Sequence, residues 1–548
     1  MSMPGNGGYL SMGARDEDAS SARITIGAGV KVVSGILRTT LGPNGSDKLL
    51  VSSGPYGELN VTNDGATIMK NLNIQNPAAK IFTEMSTTQD NNAGDGTTSI
   101  VVLGSKLYAI CEELITEKKI HPQIVVTGLS KALEVLPKIL DDFTINFSSM
   151  DAKSSRSILE KMAITALSSK LVSGNKKHFA EIAVEAAIQI GNNDMNSIHI
   201  IKKDGSSMEE SKLVDGFVLN TRIGMGQKKK IENPKIMVAN TQLDADKIKV
   251  FGASVKVDAV SKLTEIELAE RQKMIEKVSN IVRHGMDIFI NRQLIYDFPE
   301  QLFTDMGVTS IEHADFEGVE RLAYILDAEI ASSFSKELGT ENIKLGSCKL
   351  VEERTDLISG RNEPVVWFQG VPKKGACTVI LRGPTDKVLD EVERSFHDAL
   401  CVVYKAMRTK KYLLGGGCID VLLSKRLKDE ASKVCDMEGL DSGLLSLIFE
   451  EISKAFLEIP ITLADNCGMD ATLAVAQLKN AAENGKTNIG LDLVSKSVGN
   501  VEDLGILESR IVKESAIKGA FEAIMLLCRI DGIVTNRARQ RPQDRRHH

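Results

Sequence analysis

The chain has 548 residues, 42% of them hydrophobic and 26% charged, with a formal net charge of −6. One hydrophobic core does not grow to this size, so roughly two to four domains are expected. The acidic balance and the 4% aromatic content argue against a nucleic-acid-binding protein. The sequence has no run of about 18 apolar residues, so no membrane span is predicted.

The first part of the chain is predicted to be a helical domain. Residues 23–40 have helical periodicity, 48–51 and 59–61 have the pattern of a strand hairpin, and long apolar helices follow at 99–118 and 124–140. Glycine turns lie between these elements. The turns are 40–45, 62–67 and 94–99.

The turn at 94–99, Gly-Asp-Gly-Thr-Thr-Ser, has the composition of a phosphate cradle. Glycines let backbone N–H groups turn toward an anion, the threonines add hydroxyl donors, the next helix offers its positive end, and Asp95 can hold a magnesium ion. Asp-Gly is also a common turn pair, so the motif alone leaves an ordinary turn open. The other two turns and the triple glycine at 415–417 favour the phosphate cradle.

The middle of the chain changes character near Gly216. A strand is predicted at 199–203, and from Gly216 to about 371 strands alternate with helices. Two features, one before Gly216 and one after it, have an ordinary interpretation. Taken alone, Lys170 indicates a solvated surface charge, and the charged segment 243–280 indicates a solvated amphipathic helix.

The last part of the chain returns to helices. A helix is predicted at 386–404, with Asp398 at the flank of its apolar face, and further helices at 435–458, 470–483 and 512–529. The basic tail 537–548 is predicted to be a solvated end.

Neither the cysteines nor the amino terminus indicates export. The eight cysteines include no C-x-x-C pair, so neither a zinc site nor a disulfide framework is predicted. The first twenty residues have no apolar signal segment, which favours a cytoplasmic protein.

Taken together, these motifs resemble those of the group II chaperonins, and the resemblance runs nearly end to end. The order and spacing of the three glycine turns and the triple glycine match that family's signatures. Segments 290–296, 311–316 and 345–350 are similar to apical segments of one subunit type of the eukaryotic cytosolic chaperonin, TRiC or CCT. Cys418, directly after the triple glycine, agrees with that subunit type.

The resemblance implies a multidomain α/β and α fold, in which two domains are each built from separate parts of the chain. These are a helical equatorial ATPase domain, an α+β intermediate domain and an α/β apical substrate-binding domain with a helical lid protrusion at about 243–280. In chain order, the parts are equatorial 1–147, intermediate 148–216, apical 217–371, intermediate 372–405 and equatorial 406–548.

The resemblance also implies the site residues. Asp95 would hold Mg²⁺, Asp64 would lie at the hydrolytic centre, and Asp398 would orient the attacking water. Lys170 becomes a nucleotide-sensing lysine in place of a surface charge. The residues expected to bind ATP are Leu41, Gly42, Pro43, Asn63, Gly65, Gly94, Gly96, Thr97, Thr98, Ser99, Lys170, Gly415, Gly416, Asp492 and Glu508. K⁺ is a further candidate cation.

The implied function is that of an ATP-dependent chaperone subunit. It would bind unfolded cytosolic proteins such as actin and tubulin inside a hetero-oligomeric double ring of about sixteen paralogous chains. ATP hydrolysis would drive lid closure, and co-chaperones would be further partners; no nucleic acid or membrane is expected.

Two alternatives remain open at the level of sequence, and a third is disfavoured. A homo-oligomeric ring of the archaeal type fits the ATP motifs equally well. A freestanding ATP-dependent phosphotransferase would share the cradle but needs a second substrate pocket. A scaffold subunit with an inactive site would lack one of Asp64, Asp95 and Asp398, and all three are present.

Overall fold

The structure is a computed structural model. It describes residues 15–17, 19–51, 59–72, 74–191, 195–205, 207–243, 260–312, 318–332, 334, 343–355, 364–372, 377–435 and 442–535. Several predictions fall outside these residues. They concern the first fourteen residues, the hairpin turn at 53–55, residues 244–259 of the predicted protrusion, 313–316 of one apical segment, and the basic tail 537–548.

The helices of the described residues are numbered in chain order. They are α1 Ala19–Arg38, α2 Gly65–Asn71, α3 Pro77–Ala93, α4 Thr97–Thr116, α5 Pro122–Phe143, α6 Ala152–Leu167, α7 Lys176–Ile190, α8 Val260–Val282, α9 Asp297–Asp305, α10 Gly318–Leu326, α11 Asp386–Thr409, α12 Cys418–Cys435, α13 Ser442–Ala455, α14 Glu458–Asn466, α15 Ala471–Glu483, α16 Val501–Leu504 and α17 Arg510–Cys528. None of them is long and apolar enough to cross a membrane.

The strands of the described residues are short. They are β1 Arg15–Glu17, β2 Lys48–Val51, β3 Leu59–Thr62, β4 Ile145–Asn146, β5 Ile198–Asp204, β6 Lys212–Asp215, β7 Phe217–Leu219, β8 Lys230–Glu232, β9 Lys235–Ala239, β10 Ile288–Asn291, β11 Thr309–Ile311, β12 Ile330–Ala331, β13 Gly346–Ser347, β14 Leu350–Arg354, β15 Val365–Gln369, β16 Cys377–Gly383, β17 Lys411–Leu414, β18 Ile489–Asp492, β19 Ser497–Asn500, β20 Leu507–Ser509 and β21 Ile533–Thr535.

The chain divides into two compact units. Unit 1 contains residues 1–180 and 395–548, and unit 2 contains residues 181–394. The chain therefore leaves unit 1 within α7 and returns to it within α11. The multidomain α/β character predicted from the sequence is confirmed, whereas the finer division into equatorial, intermediate and apical parts remains a prediction.

Unit 1 is a helical body built around α4. The helices α1, α3, α5, α13 and α17 all pack against α4. Most of its side chains are buried on every face, as expected for a helix that is apolar all round. Because Thr97 begins this buried helix, the turn that precedes it is held by the core of unit 1.

Unit 2 is built from sheets and helices. The strands β11, β10, β9 and β12 are parallel neighbours, and β13 pairs antiparallel with β9. A second sheet has the antiparallel order β7, β15, β14 and β8, and a third has the order β5, β16 and β6. This is the alternation of strands and helices that the sequence predicts for the middle of the chain.

The predicted helix at 435–458 is wrong in its extent. The structure has α13 at Ser442–Ala455, and a new helix, α14, begins at Glu458. Pro460 lies in the first turn of α14, where its missing N–H breaks no helical hydrogen bond. In the interior of one continuous helix the same proline would remove a hydrogen bond and clash with the preceding turn, so the helix breaks before it.

Candidate functional site

The phosphate-cradle motif forms the turn between α3 and α4. Gly94 ends α3 with φ of 72°, and Gly96 precedes α4 with φ of 78°, conformations that glycine adopts without strain. Between them, the Asp95 carboxylate accepts a hydrogen bond of 2.6 Å from the Gly96 N–H. No side chain caps α4, so its first N–H groups are left for a ligand or solvent.

Gly94→Ala is expected to lower the free energy of unfolding by about 2 kcal/mol or more. A Cβ at position 94 would lie 2.3 Å from Cys401 Cβ, in a left-handed backbone conformation. Urea denaturation of the full-length chain measures the change. Gly443→Ala is the matched control, because no atom lies within 4 Å of its added Cβ. Equal stability of the two variants would show that this contact does not constrain the turn.

Asp64 joins α2 to α4. Its Oδ2 caps α2 by accepting from the Thr67 N–H at 2.9 Å and the Thr67 hydroxyl at 2.7 Å, and its Oδ1 accepts from the Thr97 hydroxyl at 3.0 Å. A Cβ on Gly65 would lie 2.8 Å from Thr98 Oγ1, so the first turns of both helices lie against each other. Sequence analysis did not predict this capping role.

Lys170 lies between two of the predicted carboxylates. Its Nζ is 2.8 Å from Asp398 Oδ2 and 3.8 Å from Asp64 Oδ1, and all three residues are buried. The ordinary interpretation of Lys170 as a surface charge is therefore wrong. Asn63 donates to the carbonyl of Ser169, which holds the segment before Lys170 against the end of β3.

The pKa values in this cluster follow from burial and from Lys170. Burial raises the pKa of Asp64, but Lys170 and hydrogen bonds from Thr67 and Thr97 outweigh it, and the net pKa is lowered. For Asp398, burial prevails over Lys170 and the pKa is raised. Burial likewise raises the pKa of Asp95, and the lowering effects of Lys170 and of the hydrogen bond from Gly96 offset this rise only in part.

The residues present suit a hydrated magnesium ion bound together with phosphates. Asp64, Asp95, Asp398 and Lys170 sum to a formal charge of −2, and the buried Asn63 Oδ1 has no hydrogen-bond partner among the described residues. The described residues contain no group of three or more His, Cys, Asp or Glu side chains able to hold a metal by themselves. Mg²⁺ usually takes one or two carboxylates plus substrate phosphates and water, which fits this arrangement.

The triple glycine forms a second edge of the site. Gly416, with φ of 64°, accepts from the Leu491 N–H at 2.9 Å, and Gly415 donates to the Ile506 carbonyl at 2.9 Å. A Cβ on Gly415 would lie 3.0 Å from Glu508 Oε1, so these two predicted residues are neighbours.

Two further predicted segments border the triple glycine. Leu491, the residue before Asp492, hydrogen-bonds to Gly416, and a Cβ on Gly417 would lie 2.8 Å from Pro460 of α14. The Asp492 carboxylate accepts from the N–H groups of Val494 and Ser495 and from the Ser495 hydroxyl, which lower its pKa and stabilise the turn between β18 and β19. The turn at 40–45 packs on α14, where Asn466 donates to the carbonyls of Arg38 and Leu41. Gly42, with φ of 86°, lies against Leu463.

Sequence analysis missed three polar residues that support these turns. Gln89 donates to the Asp95 carbonyl at 2.9 Å and to the Val512 carbonyl at 3.2 Å. Asp420 and Lys513 form a buried ion pair of 2.9 Å. The available signals were weak: a carboxylate three residues after the triple glycine, and one of several charged residues in the first half of a predicted helix.

Comparisons with a protein-family model and with individual proteins indicate the same family for this chain. Residues 33–538 match the TCP-1/cpn60 chaperonin family. The chain is 44% identical over 537 residues to T-complex protein 1 subunit beta of Homo sapiens, covering 98% of this chain and 97% of the human protein. It is 42% identical over 537 residues to the protein of that name in Saccharomyces cerevisiae, covering 97% and 98%. The Arabidopsis thaliana protein of the same name is 43% identical over 534 residues, covering 96% and 97%.

Proposed function

Because the chain belongs to the TCP-1/cpn60 chaperonin family, we propose that it is an ATP-hydrolysing subunit of a hetero-oligomeric cytosolic chaperonin. The group II chaperonin resemblance predicted from its motifs is confirmed, and so is the subunit type, since the relatives are named subunit beta. The observation that carries the ATPase proposal is the buried Asp64–Lys170–Asp398 cluster beside the Gly94–Gly96 turn.

The binding residues divide into two sets. The N–H groups of Thr97, Thr98 and Ser99 at the start of α4 and the Thr98 hydroxyl would bind the phosphates, with Asp95 as the ligand for Mg²⁺. The bound cation would neutralise phosphate charge during transfer. Gly415, Gly416 and Glu508 would bind the nucleoside end of ATP.

The hydrolytic step is assigned to Asp398. Its carboxylate would accept a proton from the attacking water, and burial makes it a stronger base than an ordinary aspartate by raising its pKa. Lys170 holds that carboxylate in place, and Asp64 holds the first turns of α2 and α4 together. These contacts fix the position of the proposed base.

The ATPase proposal is tested on the native particle that contains this chain. Photoreactive azido-ATP, radiolabelled on the α or the γ phosphate, is crosslinked after increasing incubation times, and the subunits are then separated. The α label reports nucleotide bound to this chain, and the γ label reports the part not yet hydrolysed. The proposal requires an α label that persists while the γ label decays; a chain without label would refute it.

Unfolded proteins are the proposed substrates. The native particle should capture a urea-unfolded cytosolic protein and release it folded with Mg-ATP but not with a non-hydrolysable analogue. Release that is independent of hydrolysis would contradict the proposed coupling.

Assembly into a ring is supported by the hairpin of β2 and β3. Its cross-strand pairs Leu49–Val61 and Val51–Leu59 place four apolar side chains on one face, each between 49% and 65% exposed. Two-stranded sheets are only marginally stable alone, and exposed apolar patches with free strand edges mark protein interfaces. We infer that a neighbouring subunit covers this face.

Leu49→Asp combined with Val61→Asp should release the chain from the particle. Two charges on the apolar face would be buried unpaired at the interface, whereas in the free chain they face water. Gel filtration measures the share of the chain that co-migrates with the megadalton particle. Val494→Asp is the control, since Val494 is 93% exposed in another strand hairpin. Wild-type incorporation of the double variant would exclude the hairpin from the interface.

A hetero-oligomer is favoured over a ring of one chain type. The relatives are named as one subunit of the T-complex protein, and distinct subunits require interfaces that discriminate between neighbours. Mass spectrometry of the native particle should find about eight related chains in equal amounts. A particle made of this chain alone would support the archaeal-type alternative instead.

A further inference from the structure

The first turn of α17 lies against the turn that contains Asp95. A Cβ on Gly96 would lie 2.9 Å from Val512 Cγ1. Gln89 strengthens this contact, because its amide donates both to the Asp95 carbonyl and to the Val512 carbonyl. The start of α17 is therefore attached to the phosphate side of the proposed site.

The next residue of α17, Lys513, connects the same helical turn to the triple-glycine segment. Lys513 Nζ lies 2.9 Å from Asp420 Oδ2 and 3.7 Å from Glu508 Oε2. Asp420 is in the first turn of α12, directly after the triple glycine, and Glu508 lies beside Gly415. One helical turn thus contacts two loops that are far apart in the sequence.

Asp420 and Lys513 are shielded from water, whereas the Glu508 side chain is 32% exposed. Asp420 is 2% exposed and Lys513 8% exposed. Burial lowers the pKa of Lys513, but Asp420 and Glu508 raise it by more, so the net pKa is raised and the lysine stays charged. The pKa of Glu508 is raised, because burial together with the nearby carboxylates Asp420 and Asp95 outweighs the effect of Lys513.

We propose that Lys513 is a positioning residue of the nucleotide site, which holds the triple-glycine edge in register with the Gly94–Gly96 turn through Asp420 and Glu508. This inference rests on the proposed ATP-binding function. Among the described residues, no ion pair or hydrogen bond joins Lys513 to Asp64, Lys170 or Asp398. Its loss therefore changes the affinity for ATP and leaves the hydrolytic step nearly unchanged.

The test compares four variants of the full chain in the native particle. Lys513→Met removes the cation, Lys513→Arg keeps it, and Lys518→Met removes an exposed lysine of the same helix. Asp420→Asn combined with Lys513→Met removes both charges of the closer, buried ion pair, and the partly exposed Glu508 stays in contact with water. Folding is therefore preserved if the first variant fails to fold. Concentration-dependent labelling with α-labelled azido-ATP gives the affinity, and the decay of the γ label gives the hydrolysis rate.

Lys513→Met and the double variant should bind ATP about tenfold or more weakly, with hydrolysis of the bound nucleotide within about threefold of wild type. Lys513→Arg should restore most of the affinity, and Lys518→Met should match wild type. Wild-type affinity in the double variant, or a hydrolysis rate that falls while affinity is kept, would overturn the inference but not the proposed function. A wild-type chain that takes no label would overturn the proposed function itself.

Discussion

Replacing Asp398 with alanine should lower ATP hydrolysis on this chain by roughly a hundredfold or more, while ATP affinity stays within a few-fold. The carboxylate is buried, lies 2.8 Å from Lys170, and has a pKa raised by burial, as a positioned base requires. Lys170 keeps Asp64 as a partner in the variant, so no lone buried cation is created. The γ label of azido-ATP on this chain should persist about a hundred times longer than in wild type.

Two further variants of α11 complete this test. Asp398→Asn keeps the size of the side chain but cannot accept the proton, so it should behave like Asp398→Ala. Asp390→Ala removes an exposed carboxylate of the same helix, which is paired with Lys202 in unit 2, and should hydrolyse ATP normally. Normal decay of the γ label in Asp398→Asn would exclude Asp398 as the base.

Lys170→Met should lower the free energy of unfolding by about 3–5 kcal/mol, because it leaves Asp64 and Asp398 buried without their cation. Without Lys170, the pKa of Asp398 in the folded state rises further above its value in the unfolded chain. A carboxyl group with a raised folded-state pKa loses stability as the pH rises from the unfolded pKa, about 3.9, through the folded one. The deficit of the variant should therefore shrink as the pH falls toward 4. Urea denaturation of the full chain at several pH values measures it.

Adding Asp398→Asn to Lys170→Met removes both partners of the closer ion pair, so part of the lost stability should return. Lys202→Met is the control, since Lys202 forms exposed ion pairs that contribute less than about 1 kcal/mol. Equal stability losses for Lys170→Met and Lys202→Met would mean that the buried cluster contributes no more than a surface pair.

The turn at Gly94–Gly96 could be predicted because its requirements are local. Both glycines have positive φ, and Asp95 between them hydrogen-bonds its neighbour, so the motif itself determines the conformation. The start of the next helix was predicted at Ser99 but lies at Thr97. Its first turn contains two threonines, whose low helix propensity hides a boundary that tertiary packing decides.

The environment of Lys170 could not be predicted from its neighbours in sequence. Its burial depends on Asp64 and Asp398, which approach from distant segments, and a lysine is ordinarily exposed. Family resemblance indicated a functional role, whereas local pattern indicated a surface charge. The Asp420–Lys513 pair was missed for the same reason, because the two residues are distant in sequence and no sequence motif indicates that they are in contact.

Asp492 shows the opposite case, a residue with a proposed role in ligand binding that already has a structural one. Its carboxylate holds the turn after β18 through Val494 and Ser495. Both oxygens of this carboxylate already accept local hydrogen bonds, so less of its hydrogen-bonding capacity is left for a ligand. Asp492 therefore remains a predicted nucleoside contact, and Glu508 beside Gly415 is the better supported one.

The most direct test of the proposed site is a density map of the native particle with Mg²⁺, ADP and aluminium fluoride, in which this chain is resolved. The map should show phosphates against the start of α4, Mg²⁺ about 2.0–2.1 Å from an Asp95 oxygen, the Asp398 carboxylate facing the fluoride through a water, and the nucleoside beside Gly415 and Gly416. A nucleotide bound elsewhere on this chain, or an empty site while neighbouring subunits are occupied, would contradict the account.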